Sequence, residues 1–125
     1  MHRPAVGAVA AVLGLAVVPH VRSAREEGAA PRRVEIVAAR YTFTPAVIDA
    51  RQGEVLELVL RSADTTHGLA IKPYGVKVAI PKGGETVSVR FVADKPGRFP
   101  IECSEYCGSG HKRMRGELVV AELSR

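Results

Sequence analysis

Within twelve residues, Cys103-Ser104-Glu105-Tyr106-Cys107-Gly108-Ser109-Gly110-His111-Lys112-Arg113-Met114, this chain places two thiols, an imidazole and a thioether. Soft and borderline donors of this kind hold copper, zinc or iron–sulfur clusters, whereas hard cations take oxygen. Cys103 and Cys107 are the only cysteines among the 125 residues, so the whole thiol content sits in this stretch. A further strong donor has to come from elsewhere. His67, in Asp64-Thr65-Thr66-His67-Gly68, stands at the mouth of a strand-like run, whereas His2 and His20 lie in an N-terminal stretch that does not read as part of a fold.

Two Cys, two His and one Met are one thiolate too many for a mononuclear blue copper site, which takes two His, one Cys and a weak axial Met. Two thiolates can instead bridge two copper ions, each carrying one terminal His. Met114 is then a weak ligand to one copper, and a main-chain carbonyl from the Cys–Cys loop serves the other. An electron spread over two metals changes little around it on arriving or leaving, which suits electron transfer. Two other readings of the same residues stand beside this one. Two cysteines so close together in an exported chain can form a disulfide. Two Cys with two His also make a tetrahedral zinc site, although zinc leaves Met114 without a role.

The run from Cys103 to Met114, with Asp64-Thr65-Thr66-His67-Gly68 upstream, resembles the dinuclear CuA site in the soluble domain of cytochrome c oxidase subunit II, a cupredoxin. The resemblance covers residues 40 to 122 or so. It implies an all-β, cupredoxin-like Greek-key β-sandwich with a cofactor of two copper ions. Cys103 and Cys107 correspond to the bridging ligands, His67 and His111 to the terminal ones, Met114 to the thioether, and Glu105 to the residue that offers its carbonyl. Nitrous oxide reductase has a related centre with Trp usual at that position, so Glu105 points to the oxidase branch. The implied function is one-electron transfer, with a donor such as a cytochrome c, an acceptor in oxidase subunit I, and a place in the periplasm or on the outer face of the cytoplasmic membrane. An alternative from another class is a copper-binding or copper-delivery protein with no electron-carrier role.

This chain departs from that family in two ways. The family docks cytochrome c through acidic residues and an exposed Trp, but here Trp is absent and Lys112, Arg113 and Arg115 flank His111 and Met114. A more acidic or more apolar donor is therefore expected. The family also carries one or two membrane-spanning helices ahead of the copper domain, and this chain has at most one short apolar segment.

The elements that must position these residues read as strands. Phe99, Ile101 and Cys103 alternate with Arg98, Pro100 and Glu102, the period of a strand with one buried face, so Cys103 is its last inward residue. Gly108 and Gly110 allow the following loop to curl and return Cys107, His111 and Met114 to one point before 116–123 forms a closing strand. Further strands are expected over 34–38, 41–45, 46–48, 54–61, 74–80 and 85–91. Asp49-Ala50-Arg51-Gln52-Gly53, Pro81-Lys82-Gly83-Gly84 and Asp94-Lys95-Pro96-Gly97 read as turns. In 54–61, Leu56, Leu58 and Leu60 share a face. Short strands with Gly and Pro turns indicate a β-sandwich, and no segment sustains a helical period.

Ahead of this domain, assigned to 34–125, residues 1–24 combine a basic start, a run of fourteen apolar residues from Ala5 to Val18, and Val21-Arg22-Ser23. This reads as a signal peptide cleaved near Ser23, or else as a short N-terminal anchor giving membrane association. Residues 25–33 read as a linker. The net charge of +5, from eighteen Lys and Arg against thirteen Asp and Glu, is scattered along the chain. No basic cluster suits nucleic acid, and no DNA or RNA partner is expected.

Overall fold

The computed structural model describes residues 1, 2, 4–17 and 30–124. Nine strands follow in chain order: β1 (Arg32–Ala39), β2 (Thr42–Thr44), β3 (Val47–Arg51), β4 (Glu54–Ser62), β5 (His67–Ile71), β6 (Val76–Ile80), β7 (Val87–Ala93), β8 (Gly97–Glu102) and β9 (Arg115–Ala121). One sheet has the order β2-β1-β4-β7 and the other β3-β9-β8-β5-β6. The β1–β4 and β3–β9 pairs are parallel, and the remaining pairs are antiparallel. The expected all-β sandwich is what these residues form.

Period-two patterning explains the packing. Leu56, Leu58 and Leu60 of β4 are fully buried, as are Leu69, Ile71, Ile80 and Leu118 from the facing sheet. On the other face of β4 only Val59 is buried, while Val55 and Glu57 are half-buried and Arg61 is exposed, so the strand has one core face and one largely outer face. Three of the six aromatics gather beside this aliphatic core, with the Tyr74 ring 5.3 Å from Phe91 and 5.1 Å from Phe99.

Several boundaries differ from the sequence reading by a few residues, and three of the differences have a clear physical reason. Asp49, Ala50 and Arg51 belong to β3, because the parallel partner β9 supplies their ladder as far as Arg51 opposite Ala121, and the turn shrinks to Gln52–Gly53. The strand expected from Tyr74 starts at Val76, because Lys72–Tyr74 first makes a single 3-10 turn that Gly75 closes at φ 64°. β1 begins at Arg32, inside the stretch read as linker, where the Arg32 guanidinium bonds the Glu54 carboxylate and the Asp49 carbonyl. The proposed cleavage point near Ser23, His20 and most of 25–33 lie outside the described residues. Residues 4–17 are exposed and form no strand or helix. Among the described residues no helix is long and apolar enough to cross a membrane.

Both sheets deliver chain to one end of the sandwich. β8 and β9 pair up to Glu102 opposite Arg115, so Cys103 and Met114 are the first residues past the last rung. The Cys103 N–H continues the ladder by donating to the Met114 carbonyl at 3.3 Å, and the Ser104 N–H donates to the Gly68 carbonyl of β5 at 3.3 Å. The whole 103–114 loop thus hangs from two strands at its base and leans on a third.

Candidate metal centre

His67 opens β5 and is fully buried, held by its pairing with Ile80 of β6. Cys103, Cys107 and Met114 are also buried, at 7%, 4% and 1% exposure. His111 begins a one-turn 3-10 helix (His111–Arg113) and keeps part of its surface in solvent. Three main-chain bonds shape this return: the N–H groups of His111, Arg113 and Met114 donate to the carbonyls of Gly108, Gly110 and His111.

The six expected donor groups converge. The Cys103 and Cys107 sulfurs lie 3.6 Å apart as free thiols. Each has its own imidazole: His67 Nδ1 is 3.9 Å from Cys103 Sγ, and His111 Nδ1 is 3.6 Å from Cys107 Sγ. The remaining two donors split the same way, the Glu105 carbonyl 3.1 Å from Cys103 Sγ and Met114 Sδ 3.8 Å from Cys107 Sγ. The donor atoms of His67, Cys103 and Cys107 fall within 4.8 Å of one another. Each sulfur therefore has one nitrogen and one weaker donor beside it. A site for one tetrahedral ion has no need of that duplication, whereas a soft set of sulfur and imidazole nitrogen fits copper.

Groups around the donors fix their state. Asp64 Oδ1 lies 2.6 Å from His67 Nε2. Burial works to raise the Asp64 carboxyl, but the Arg40 N–H, the His67 ring and the Thr65 N–H outweigh it and bring its pKa down to about 2. An ionised carboxylate only accepts, so His67 Nε2 carries the ring proton and Nδ1 turns its lone pair toward the sulfurs. The Cys107 thiol is pushed up to about 11, by burial first and by the neighbouring Cys103 next, with the Arg40 charge working against both.

The basic residues flanking the site divide. Arg115 bonds Glu102 at 3.1 Å and the Lys112 carbonyl at 3.3 Å, so it is committed to the scaffold. Lys112 and Arg113 are exposed and form no ion pair among the described residues. Tyr106 is 78% exposed, and its ring lies 5.7 Å from that of His111.

Two residues that the sequence reading passed over also touch this loop. Arg40 Nε donates to the Cys107 carbonyl at 2.9 Å, and the Tyr41 side chain fills the space that a side chain at Gly108 or Gly110 would need. Neither has a local sequence signal, since each sits in the β1–β2 turn and reaches a loop more than sixty residues away.

The chain matches the Cupredoxin-like domain family over residues 7–120. It belongs to that family. A cytochrome c oxidase subunit 2 of Thermus thermophilus is 33% identical to this cupredoxin over 89 residues, which are 71% of the chain and 65% of the relative. A second Thermus thermophilus subunit 2 shows the same identity with 52% of its length covered, so the chain spans about half to two thirds of these relatives. A nitrous-oxide reductase of Cupriavidus necator is 35% identical over 91 residues, only 14% of its own length. Among solved structures, a chain of a heme-copper terminal oxidase dimer superposes with TM-score 0.65 at 28% identity, covering 72% of this chain and 65% of that one. The periplasmic domain of cytochrome oxidase subunit II from Bradyrhizobium japonicum shares the fold with TM-score 0.62 at 22% identity, over 72% and 83% of the two chains. The cupredoxin thus resembles the copper domain of oxidase subunit II, and family and donor set together support copper binding at this end of the sandwich.

Proposed function

We propose that this cupredoxin passes single electrons through a dinuclear CuA centre, as the electron-accepting domain of a cytochrome c oxidase. The observation that carries the reading is the paired donor set: two free thiols 3.6 Å apart, each with its own imidazole nitrogen and its own weaker donor. Copper supplies the one-electron couple when bound there. The chain's own contribution is to preorganise the donors. Asp64 holds the His67 ring in one tautomer, the β8–β9 ladder sets Cys103 against Met114, and the buried walls keep water from the sulfurs.

Exposure gives the centre a direction. His67 is sealed inside the sandwich, whereas His111 reaches the surface beside the Tyr106 ring, so the His111 edge is where a redox partner comes close enough for electron exchange. A cytochrome c is the proposed donor class and oxidase subunit I the proposed acceptor, with the domain in the periplasm or on the outer membrane face. Exposed Lys112 and Arg113 favour a donor whose docking face is acidic.

Absorption and EPR spectra of the copper-loaded chain, with metal counting, test the reading. Two coppers per chain with a seven-line mixed-valence pattern support it. One copper with four lines overturns it and moves the case to copper delivery, and zinc alone in protein purified without added metal overturns it in favour of a structural site.

A further inference from the structure

One residue touches both halves of the donor set. The backbone N–H of Arg40 donates to Asp64 Oδ2 at 2.7 Å, and the other oxygen of that carboxylate holds the His67 ring. The side chain of the same residue turns the opposite way and donates from Nε to the Cys107 carbonyl at 2.9 Å. Asp64 and Cys107 lie 24 and 67 residues from Arg40 in sequence, so two remote loops meet at one turn. That turn is itself fixed, because the Ala63 N–H donates to the Ala38 carbonyl at 2.9 Å and the next residue, Tyr41, lies on Gly108 and Gly110 of the Cys107–Met114 return.

We propose that Arg40 is a positioning residue of the copper centre, clamping the Cys107–Met114 return to the Asp64–His67 arm and raising the centre's reduction potential through its charge. The first part follows from geometry. A charged donor on a peptide carbonyl makes one of the stronger neutral-acceptor bonds, and this one holds the peptide that follows a sulfur ligand. The second part follows from Coulomb's law at short range. A fixed positive charge beside a partly water-excluded centre favours the state with one more electron.

The two bonds of Arg40 separate cleanly, because the bond to Asp64 uses the backbone and survives any change of side chain except proline. Arg40→Met removes the clamp and the charge; Arg40→Lys keeps a charge but has no nitrogen at the Nε position. Arg90→Met, on the outer face of β7 where Arg90 pairs with Glu57, is the remote charge control. The clamp is read in the metal-free full chain by amide hydrogen exchange, which is independent of copper. Both Arg40 variants should speed exchange of the peptide spanning 107–114 about tenfold, the size of one lost bond to a charged group, and leave 64–71 unchanged.

Voltammetry of the copper-loaded chain reads the charge. Arg40→Met should lower the potential at equal copper content, Arg40→Lys should keep most of it, and Arg90→Met should leave it unchanged. Unchanged exchange in both Arg40 variants overturns the clamp, and an unchanged or raised potential in Arg40→Met overturns the charge effect. The potential arm rests on the copper reading above. Should the unsubstituted chain lack a two-copper signal, that reading fails, while the exchange arm still decides the clamp.

Discussion

Asp64 Oδ1 sits 2.6 Å from His67 Nε2, and the opposite ring nitrogen faces the Cys103 sulfur at 3.9 Å. The carboxylate, ionised down to about pH 2, dictates which nitrogen is free to bind. Asp64→Asn replaces an obligate acceptor by an amide that can present either a donor or an acceptor, so the ring is no longer held in one tautomer. Outer partners of metal-bound His typically carry 10- to 100-fold in affinity. A copper-chelator competition titration should show a loss of about that size, with the metal-free melting temperature changed far less.

Gly110 is required by its neighbour and not by its own turn. Its φ of −91° is open to any residue, but a methyl group there would come within 2.6 Å of Tyr41 Cγ. Gly110→Ala should therefore destabilise the metal-free chain by about 1–3 kcal/mol, the usual cost of overpacking. Tyr41→Ser should relieve most of that. Urea unfolding of the two single variants and the double variant checks this as a double-mutant cycle, with a coupling of about 0.5–3 kcal/mol expected. Gly108 is different, because its φ of 136° excludes other residues even with the ring removed.

How far the sequence could be read depended on the range of the interaction. Alternation through Phe99, Ile101 and Cys103 is local, and it placed Cys103 inward, where the structure buries it one residue past the end of β8. The residue types and their spacing in 103–114 are local as well, so Cys103, Cys107, His111 and Met114 could be named as candidate donors from that stretch alone, whereas His67 had to be sought upstream and Glu105 came from the family resemblance. Arg40, Tyr41 and the Arg115–Glu102 pair were not, because nothing near them in sequence says that a turn at 40 will meet a loop at 107 or that β8 and β9 will place 102 opposite 115. The extension of β3 through Arg51 was missed for a related reason. Its Asp and Arg look like turn chemistry until β9 supplies a parallel partner.

At the far end of the sandwich, Arg32 ties β1 to Glu54 and to the Asp49 carbonyl. The Glu54 carboxyl is held below its ordinary value by the Arg32 hydrogen bond first, with burial opposing and the Arg51 N–H assisting. A carboxyl lowered on folding stabilises the fold above its unfolded value, near 4.5, and that contribution disappears as pH falls through the folded value. Glu54→Gln should thus lower the melting temperature at pH 7 and converge with the unsubstituted chain in acid. The pair is partly exposed, so the difference at pH 7 should stay within about 1 kcal/mol.

Lys112 and Arg113 should govern donor choice without touching the metal. Reversing both, as Lys112→Glu with Arg113→Glu, leaves every donor distance in place. Stopped-flow reduction by an acidic donor should slow several-fold at low salt, reduction by a basic cytochrome c should accelerate, and both effects should shrink as ionic strength rises. Equal rates for the two donors before and after reversal, with copper content unchanged, would remove these residues from the docking face.

Met114 distinguishes a ligand from a core residue. Its side chain is 1% exposed among the apolar core, and its sulfur is 3.8 Å from that of Cys107. As packing alone, Met114→Leu nearly conserves volume and should cost less than about 1.5 kcal/mol. Metal-free melting should then shift by only a few degrees. As a weak copper ligand, the thioether tunes the centre through its bond to the metal, which leucine cannot make. The loaded variant should keep its copper, but its absorption bands and reduction potential should move. A chain in which Met114→Leu changed neither would be using this residue for packing alone, as a tetrahedral site of two Cys and two His would require.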